Sequence, residues 1–283
     1  MEFSECLWQI VNSARSGQLS LWVGAGLSVK PPASRPLARE LKFHILQCIC
    51  SHPALRHLYE NRLQEKRDIG GRIESYPLEA FIQCIEENHS IVSDIAGVFR
   101  GGSPSKNHFL VARMMKQRFV REVLTTNFDL LIEKALESTG WHAGIDYRVY
   151  STESSFASLN SDRNLPSVFK IHGTADDVES MRITLSQVAS RVLSESRGIV
   201  LEHFLTSGNG DVLVFGYGAG DYFDINPVLS SMRSKKRIFY VSYEPGKREI
   251  SELPQAFHSF QGSAIFCDPD LVVDHLWSAL GFE

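Results

Sequence analysis

The chain has 283 residues, 43% hydrophobic and 22% charged, ordinary usage for a soluble globular protein, which excludes disordered and fibrous classes. A formal net charge of -4 gives no electrostatic reason to expect nucleic acid, and no apolar run approaches the roughly 20 residues of a membrane span. The five cysteines, at positions 6, 48, 50, 84 and 267, form neither a disulfide framework nor a zinc quartet, and no basic leader precedes Cys6; together these features point to the reducing cytoplasm.

Phe3, Leu7, Ile10 or Val11 and Ala14 recur at helical spacing, with Ser4 as the expected N-cap and Gly17 as the stop. Leu19 to Val23 is a short buried strand that runs into Gly24-Ala25-Gly26-Leu27-Ser28. A strand followed by Gly-x-Gly and a hydroxyl residue is a candidate phosphate loop, because glycines let a pyrophosphate approach backbone N–H groups; the same pattern also serves as a purely structural turn. Val29 stands where a dehydrogenase fingerprint has its third glycine. His44, Gln47 and Cys48 occupy the stretch where the ribose-binding acid would stand, so a standard hydride-transfer domain is disfavoured.

Pro31, Pro32 and Pro36 then break the chain. Leu37–Cys50, Leu55–Gln64, Leu78–Glu87 and Ile91–Phe99 read as helices, punctuated by Gly70-Gly71 and Gly101-Gly102. The expected organisation is one domain over 1–283 with an inserted helical subdomain at 31–105. Cys48, Cys50 and Cys84 within it are expected to be buried packing residues.

The second half alternates strands and helices. Asn107–Met115 reads as a helix and Phe119–Leu124 as a strand, which stops on Thr125-Thr126-Asn127-Phe128-Asp129 before a helical pattern through Leu136. A strand over Val168–Ile171 ends at His172-Gly173, and one over Asp211–Phe215 ends at Gly216-Tyr217-Gly218-Ala219-Gly220-Asp221. A helix over Ile225–Met232, strands over Ile238–Ser242 and Ala264–Cys267, and a helix over Leu271–Leu280 complete the series. The basic run Arg233, Lys235, Lys236 and Arg237 reads as a solvated helix end or turn. This order predicts an α/β fold: a Rossmann-like, doubly wound, mostly parallel sheet of about six strands.

In such a sheet the four polar or glycine-rich strand ends share one edge. Asn127 and Asp129 are each a helix cap or a catalytic group, and both readings stand on sequence alone. Of ten histidines, His172 is the one that ends a buried-looking strand and precedes glycine, as a satisfied structural group or as a catalyst.

In order and spacing, Gly24-Ala25-Gly26-Leu27-Ser28, Thr126-Asn127-Phe128-Asp129, Lys170-Ile171-His172-Gly173 and Phe215-Gly216-Tyr217 with Asp221 resemble the motifs of the SIR2 family. They resemble in particular those of the bacterial SIR2-like NAD-cleaving effectors of antiphage defence. It implies NAD as substrate, no metal, and hydrolysis to nicotinamide and ADP-ribose. Asn127 would hold the ribose or the attacking water, His172 would be the general base, and Asp129 would orient the pair. Gly24, Ala25, Gly26, Ser28, Thr126, Gly216, Tyr217 and Asp221 would hold the dinucleotide, with Ser242 and Glu244 in reach of the adenosine ribose. Asp221 and Asp224 either bind the nucleotide or cap the following helix.

The resemblance further implies restraint by a separate regulatory or sensor subunit, or by homo- or hetero-oligomerisation. The chain departs from protein-deacetylating sirtuins in lacking the paired cysteines of their zinc ribbon. It also carries Val29-Lys30-Pro31-Pro32 where they have an Ile-Pro-Asp-Phe-Arg type segment. Protein deacylation and ADP-ribosyl transfer therefore rank behind NAD hydrolysis, as does NAD or ADP-ribose binding without turnover.

Overall fold

The computed structural model describes residues 2–63, 66–67, 73–74, 77–86, 91–159, 165–188 and 194–282. Its strands in chain order are β1 (Leu19–Val23), β2 (Lys66–Arg67), β3 (Ile73–Glu74), β4 (Val120–Thr125), β5 (Arg148–Tyr150), β6 (Ser167–Lys170), β7 (Asp211–Phe215), β8 (Arg237–Tyr243), β9 (Arg248–Ser251) and β10 (Gln261–Cys267). One 8-stranded sheet has the order β5-β6-β4-β1-β7-β8-β10-β9, and β2 and β3 form a separate antiparallel ribbon. Every neighbouring pair in the large sheet is parallel except β10 and β9. The fold is the expected mostly parallel α/β class with more strands than expected. β5 and β9 are edge strands of 3 and 4 residues, too short to show a period.

β1 is buried along its whole length, as a central parallel strand covered on both faces must be. Alternation sends Leu19, Leu21 and Val23 to one face, where they meet apolar side chains of the helices Phe3–Arg15, Lys106–Lys116, Leu131–Ser138 and Pro269–Ala279. Trp22 goes to the other face, against the helices Glu195–Thr206 and Ile225–Ser231. The register pairs Val23 with both Thr125 and Phe215, and Thr125 with Lys170. Four chain segments therefore leave the sheet at one level, on one edge.

Among the described residues, the helices Ala38–Ile49, Pro53–Leu63, Leu78–Glu86 and Val92–Arg100 come between β1 and the helix Lys106–Lys116 that precedes β4. Leu41, Ile45, Ile82, Ile85, Ile95 and Phe99 from this stretch form a third apolar cluster with Ala175, Met181 and Ile183, which follow β6. The cluster holds Ala38–Ile49, Leu78–Glu86 and Val92–Arg100 over the carboxyl edge of the sheet.

Several local expectations are corrected. Ser4 lies inside the first turn of its helix, whose N-cap is Glu2. Cys48 and Cys84 are exposed and Cys50 is half-buried. Cys84 stands two residues from the buried Ile82, on the far side of the helix, and Cys48 lies in the last turn of its helix, past the cluster. The buried thiols are Cys6 and Cys267, both pushed up to about 11 by burial. The basic run is solvated at Arg233 and Lys235 but not at the next two residues. The Lys236 ammonium is buried and donates to Phe204 O at 2.6 Å, in the last turn of a helix where a cation is favoured. Arg237 pairs with Asp211 at 2.9 Å. The start of β8 places Lys236 under that helix and Arg237 on the opposite face, where it also donates to Gln9 Oε1 at 2.6 Å.

Gly216 has φ +67°, and a Cβ there would lie 2.5 Å from Leu27 N. Gly216→Ala therefore combines left-handed strain with a main-chain clash, and we expect a loss of about 2 kcal/mol or more in urea unfolding. Gly218, with nothing within 4 Å of its Cβ position, accepts alanine with little change.

Candidate active site

Asn127 lies two residues beyond β4, and its N–H donates to the Thr125 hydroxyl at 3.0 Å. Its side-chain amide donates to Gly24 O at 3.2 Å and to Ser28 Oγ at 3.3 Å. The amide oxygen is buried and has no hydrogen-bond partner among the described residues. Ser28 in turn donates to Asp129 Oδ2 at 2.8 Å and lies 3.0 Å from His108 Nε2. The other Asp129 oxygen accepts the Leu131 N–H at 3.1 Å, so from just before the N-cap residue Leu130 one carboxylate takes up the first free N–H of a helix and holds Ser28.

The glycines after β1 serve contact between loops. Gly24 N–H donates to Phe215 O at 3.0 Å and Gly26 N–H to Gly216 O at 2.8 Å, while Leu27 N–H returns to Gly24 O at 2.9 Å. These three donors are engaged inside the fold rather than turned toward a pyrophosphate; Ala25 between them is exposed. Tyr217 is also turned inward. Its ring stacks on Trp22 at 4.8 Å and its carbonyl accepts the Tyr240 hydroxyl at 2.6 Å. Its own hydroxyl is buried, near Asp221 but without a hydrogen bond of ordinary geometry, and burial holds its pKa well above the usual range.

His172 sits between two carboxylates. Nε2 is 3.1 Å from Asp224 Oδ2, Nδ1 is 4.0 Å from Asp221 Oδ1, and the ring lies against Phe128 at 6.4 Å. Burial alone would lower the imidazole pKa, but Asp224 and then Asp221 outweigh it and raise it to about 9. Burial lifts Asp221, whereas the charge of His172 outweighs burial at Asp224 and holds that carboxyl below its ordinary range. Asp224 also accepts the Ile225 N–H at 2.7 Å, so it is the cap of the helix Ile225–Ser231. The donor atoms of His172, Asp221 and Asp224 lie within 4.8 Å of one another, a set a cation could also take up; an imidazolium between two carboxylates balances the same charges.

Two buried cations hold the segments on either side. Lys170 meets Glu133 at 2.9 Å and donates to Asp129 O. Arg197 pairs with Glu153 at 2.6 Å and donates to Ile171 O and, at 3.2 Å, to Ser180 O, which clasps the turn that carries His172. Burial would raise the Glu153 carboxyl, but Ser194, Ser196 and Arg197 outweigh it and bring it to about 2. Gly173 completes this turn, because a Cβ there would lie 2.2 Å from Ser180 O.

A cavity of about 140 Å³ opens at the strand ends. Ala25, Ser28, Thr126, Asn127, Asp129, His172 and Asp221 line its sheet side, and Arg35, Leu41, Leu78, Glu79 and Phe99 form the opposite wall. The Glu79 carboxyl is raised by burial and by the charges of Asp221 and Asp224. Gly24, Gly26, Gly216 and Tyr217 stand behind this lining, and Ser242 and Glu244, at the end of β8, lie outside it. A larger hollow of about 470 Å³ lies at the opposite, amino edge of the sheet. There Glu122 pairs with His203 at 3.1 Å, Lys236 donates to Phe204 O, and Arg121 is exposed, whereas the smaller cavity gathers Asn127, Asp129, His172, Asp221 and Glu79 and is the chemical one.

Sequence reasoning passed over His108, Arg197 and Glu79, and gave Lys170 no role beyond its place in the motif before His172. One signal was available for His108: Ser105-x-x-His108 at the head of an apolar run is a capping box with histidine in the place of Glu or Gln. Arg197→Met would take the buried cation from Glu153, which keeps Ser194, Ser196 and Arg182, and remove the guanidinium donor from the Ile171 and Ser180 carbonyls. We expect it to cost about 2–4 kcal/mol in urea unfolding, against under about 0.5 kcal/mol for the exposed Arg121→Met.

No curated protein matches the chain. Among solved structures, the chain is similar to one from work on the structural basis for the mechanism and regulation of Sir2 enzymes, at 12% identity over 96% of both chains and a TM-score of 0.44. Residues 121–257, just under half of the chain, match the family model described as a SIR2-like domain. That stretch carries Asn127, Asp129, His172, Gly216 and Asp221, and the match supports the SIR2 family for this chain.

Proposed function

We propose that the chain is an NAD glycohydrolase, which breaks the bond between nicotinamide and ribose to give nicotinamide and ADP-ribose. The observation that carries this reading is that Asn127, whose buried side-chain oxygen has no partner among the described residues, lines the same cavity as His172. An acceptor beside a histidine suits a water or ribose hydroxyl that must be held and deprotonated. The bond to the ring nitrogen breaks with its electron pair, neutral nicotinamide leaves, and water attacks the ribose carbon while His172 takes its proton. Acidic groups around the cavity, Asp129, Asp221 and Glu79, suit a cationic nicotinamide ring and the positive charge that develops on the ribose. The motif resemblance and the SIR2-like match over 121–257 support NAD as the substrate.

About 140 Å³ is small beside the roughly 300–1,000 Å³ of ordinary ligand sites, so the cavity takes one ring and the rest of the dinucleotide lies beyond it. The wall formed by Arg35, Leu41, Leu78, Glu79 and Phe99 opens to admit it. Such closure suits an enzyme that is restrained until triggered, since unrestrained NAD loss would drain its cell. By resemblance to SIR2-like effectors, we assign the chain to antiphage defence through NAD depletion, with a partner chain or self-assembly as the trigger.

A second reading is a module that binds NAD or ADP-ribose without turnover. It is favoured by the protonated state of His172, whose pKa of about 9 withholds the base at neutral pH. Purified protein incubated with NAD, alone and with the products of neighbouring genes, decides between them. The hydrolase releases nicotinamide and ADP-ribose, whereas the binding module leaves NAD intact under every condition. In the hydrolase, Asn127→Ala and His172→Ala each lower NAD cleavage by about 10² or more with the circular dichroism spectrum unchanged.

A base works only when deprotonated, so kcat/KM for NAD rises with pH toward about 9. Asp224→Asn keeps an oxygen to cap Ile225 but removes the nearest charge holding the proton on His172. The rise therefore moves to lower pH, read from initial rates of nicotinamide release across the pH range.

A further inference from the structure

We infer that His108, acting through Ser28, is a positioning residue that determines which way the Asn127 side-chain amide faces, so that its oxygen is presented to the ligand. This rests on the role proposed above for Asn127 in NAD cleavage.

The argument is a count of donors and acceptors. The Ser105 N–H donates to His108 Nδ1 at 3.0 Å, so that nitrogen carries a lone pair and the ring proton sits on Nε2. Burial, opposed by the charge of Asp129, holds the ring down to about 4, which keeps it neutral at physiological pH. Nε2–H therefore donates to Ser28 Oγ at 3.0 Å. Ser28 has one proton, and Asp129 Oδ2, which can only accept, takes it at 2.8 Å. The next neighbour of Ser28 Oγ, the Asn127 side chain at 3.3 Å, is then left to donate.

Gly24 O, 3.2 Å from the same Asn127 nitrogen, can only accept as well. Both amide protons are thereby used, and the oxygen remains buried and unpartnered, on a residue that lines the cavity. A half-turn of the amide would set its oxygen against Gly24 O and the Ser28 lone pairs. In the other His108 tautomer, Nε2 would compete with Asp129 for the Ser28 proton, and the direction of the whole relay would be lost. The relay starts at the Ser105 cap of the helix Lys106–Lys116, which ties the Asn127 amide to the head of a helix rather than to a mobile side chain.

The test reads the Asn127 amide directly. With nitrogen-15 asparagine labelling, and Asn127→Ala to assign the signal, the side-chain amide protons of the wild type exchange about tenfold more slowly than those of exposed asparagines. His108→Leu removes most of this protection and His108→Gln, which keeps an N–H donor, retains it. Ser28→Ala, a second variant for use if His108→Leu does not fold, also removes it. With NAD, His108→Leu lowers kcat about tenfold while KM stays within about twofold, and His108→Gln restores kcat to within about threefold of the wild type. Unchanged protection in His108→Leu, or in Ser28→Ala where His108→Leu does not fold, overturns the inference. A wild-type protein that cleaves no NAD overturns the hydrolase reading alone, because amide exchange still reports on the relay.

Discussion

The loops that leave β1 and β7 touch backbone to backbone, and only glycine permits that approach, since a Cβ on Gly24, Gly26 or Gly216 would come under 3.0 Å from main-chain atoms. The contact sets the path from Gly24 to Ser28. That path places Gly24 O and Ser28 Oγ where the Asn127 amide uses both as acceptors. Glycines that read as room for a phosphate thus also make room for another loop, and the polar centre of the cavity is built on the result. The parallel register does the remainder, because it brings the ends of β6, β4, β1 and β7 to one level without help from the loops themselves.

Behind this edge lie three buried cationic or protonatable groups, each tied to a carboxylate and two of them also to main-chain carbonyls. Lys170 holds Glu133 and Asp129 O; Arg197 holds Glu153 with Ile171 O and Ser180 O; His172 holds Asp224. Buried ion pairs are poor sources of net stability, because an apolar replacement of the pair is often neutral, while removal of one partner costs about 3–5 kcal/mol. Their worth here is positional. Each cation fastens a segment that continues from a strand, and the fastened segments are those that carry Asp129 and His172. The price in desolvation is offset only when the carboxylate and carbonyl partners stay in place, which ties the turns behind the cavity to those partners.

Much of the fold was legible because its signals are local. Five consecutive buried residues before Gly24, apolar runs before Asn127 and Gly216, and an apolar strand ending on His172-Gly173 announce parallel strands and their ends. Other elements carry no such signal. The helix Glu195–Thr206 is apolar on more than one side, with Val200 and Leu201 adjacent and buried beside an exposed Ile199, so no single stripe marks it. Arg197 was hidden with it. Lys236 looked solvated because the helix carboxyl end that receives its charge lies about thirty residues earlier in the chain. Cys48 and Cys84 looked buried because cysteine usually is, and their exposure follows from where a helix turns them.

By itself, the order of residues determined the α/β class, the strand ends that meet at one edge, and the polar residues standing there, because each is written in a short window of alternation, glycine or capping type. Only the tertiary structure decided what those residues do to one another. It turned Tyr217 inward onto Trp22, engaged the N–H groups of Gly24 and Gly26 with the loop after β7, and made Asp129 both the acceptor of a helix's first free N–H and a partner of Ser28. It also brought His108 and Arg197 to the site from helices about 20 and 25 residues away from Asn127 and His172 in the chain. The reason is physical: a hydrogen bond is decided by which donor and acceptor lie within about 3 Å, and that distance is set by packing across the sheet rather than by spacing along the chain.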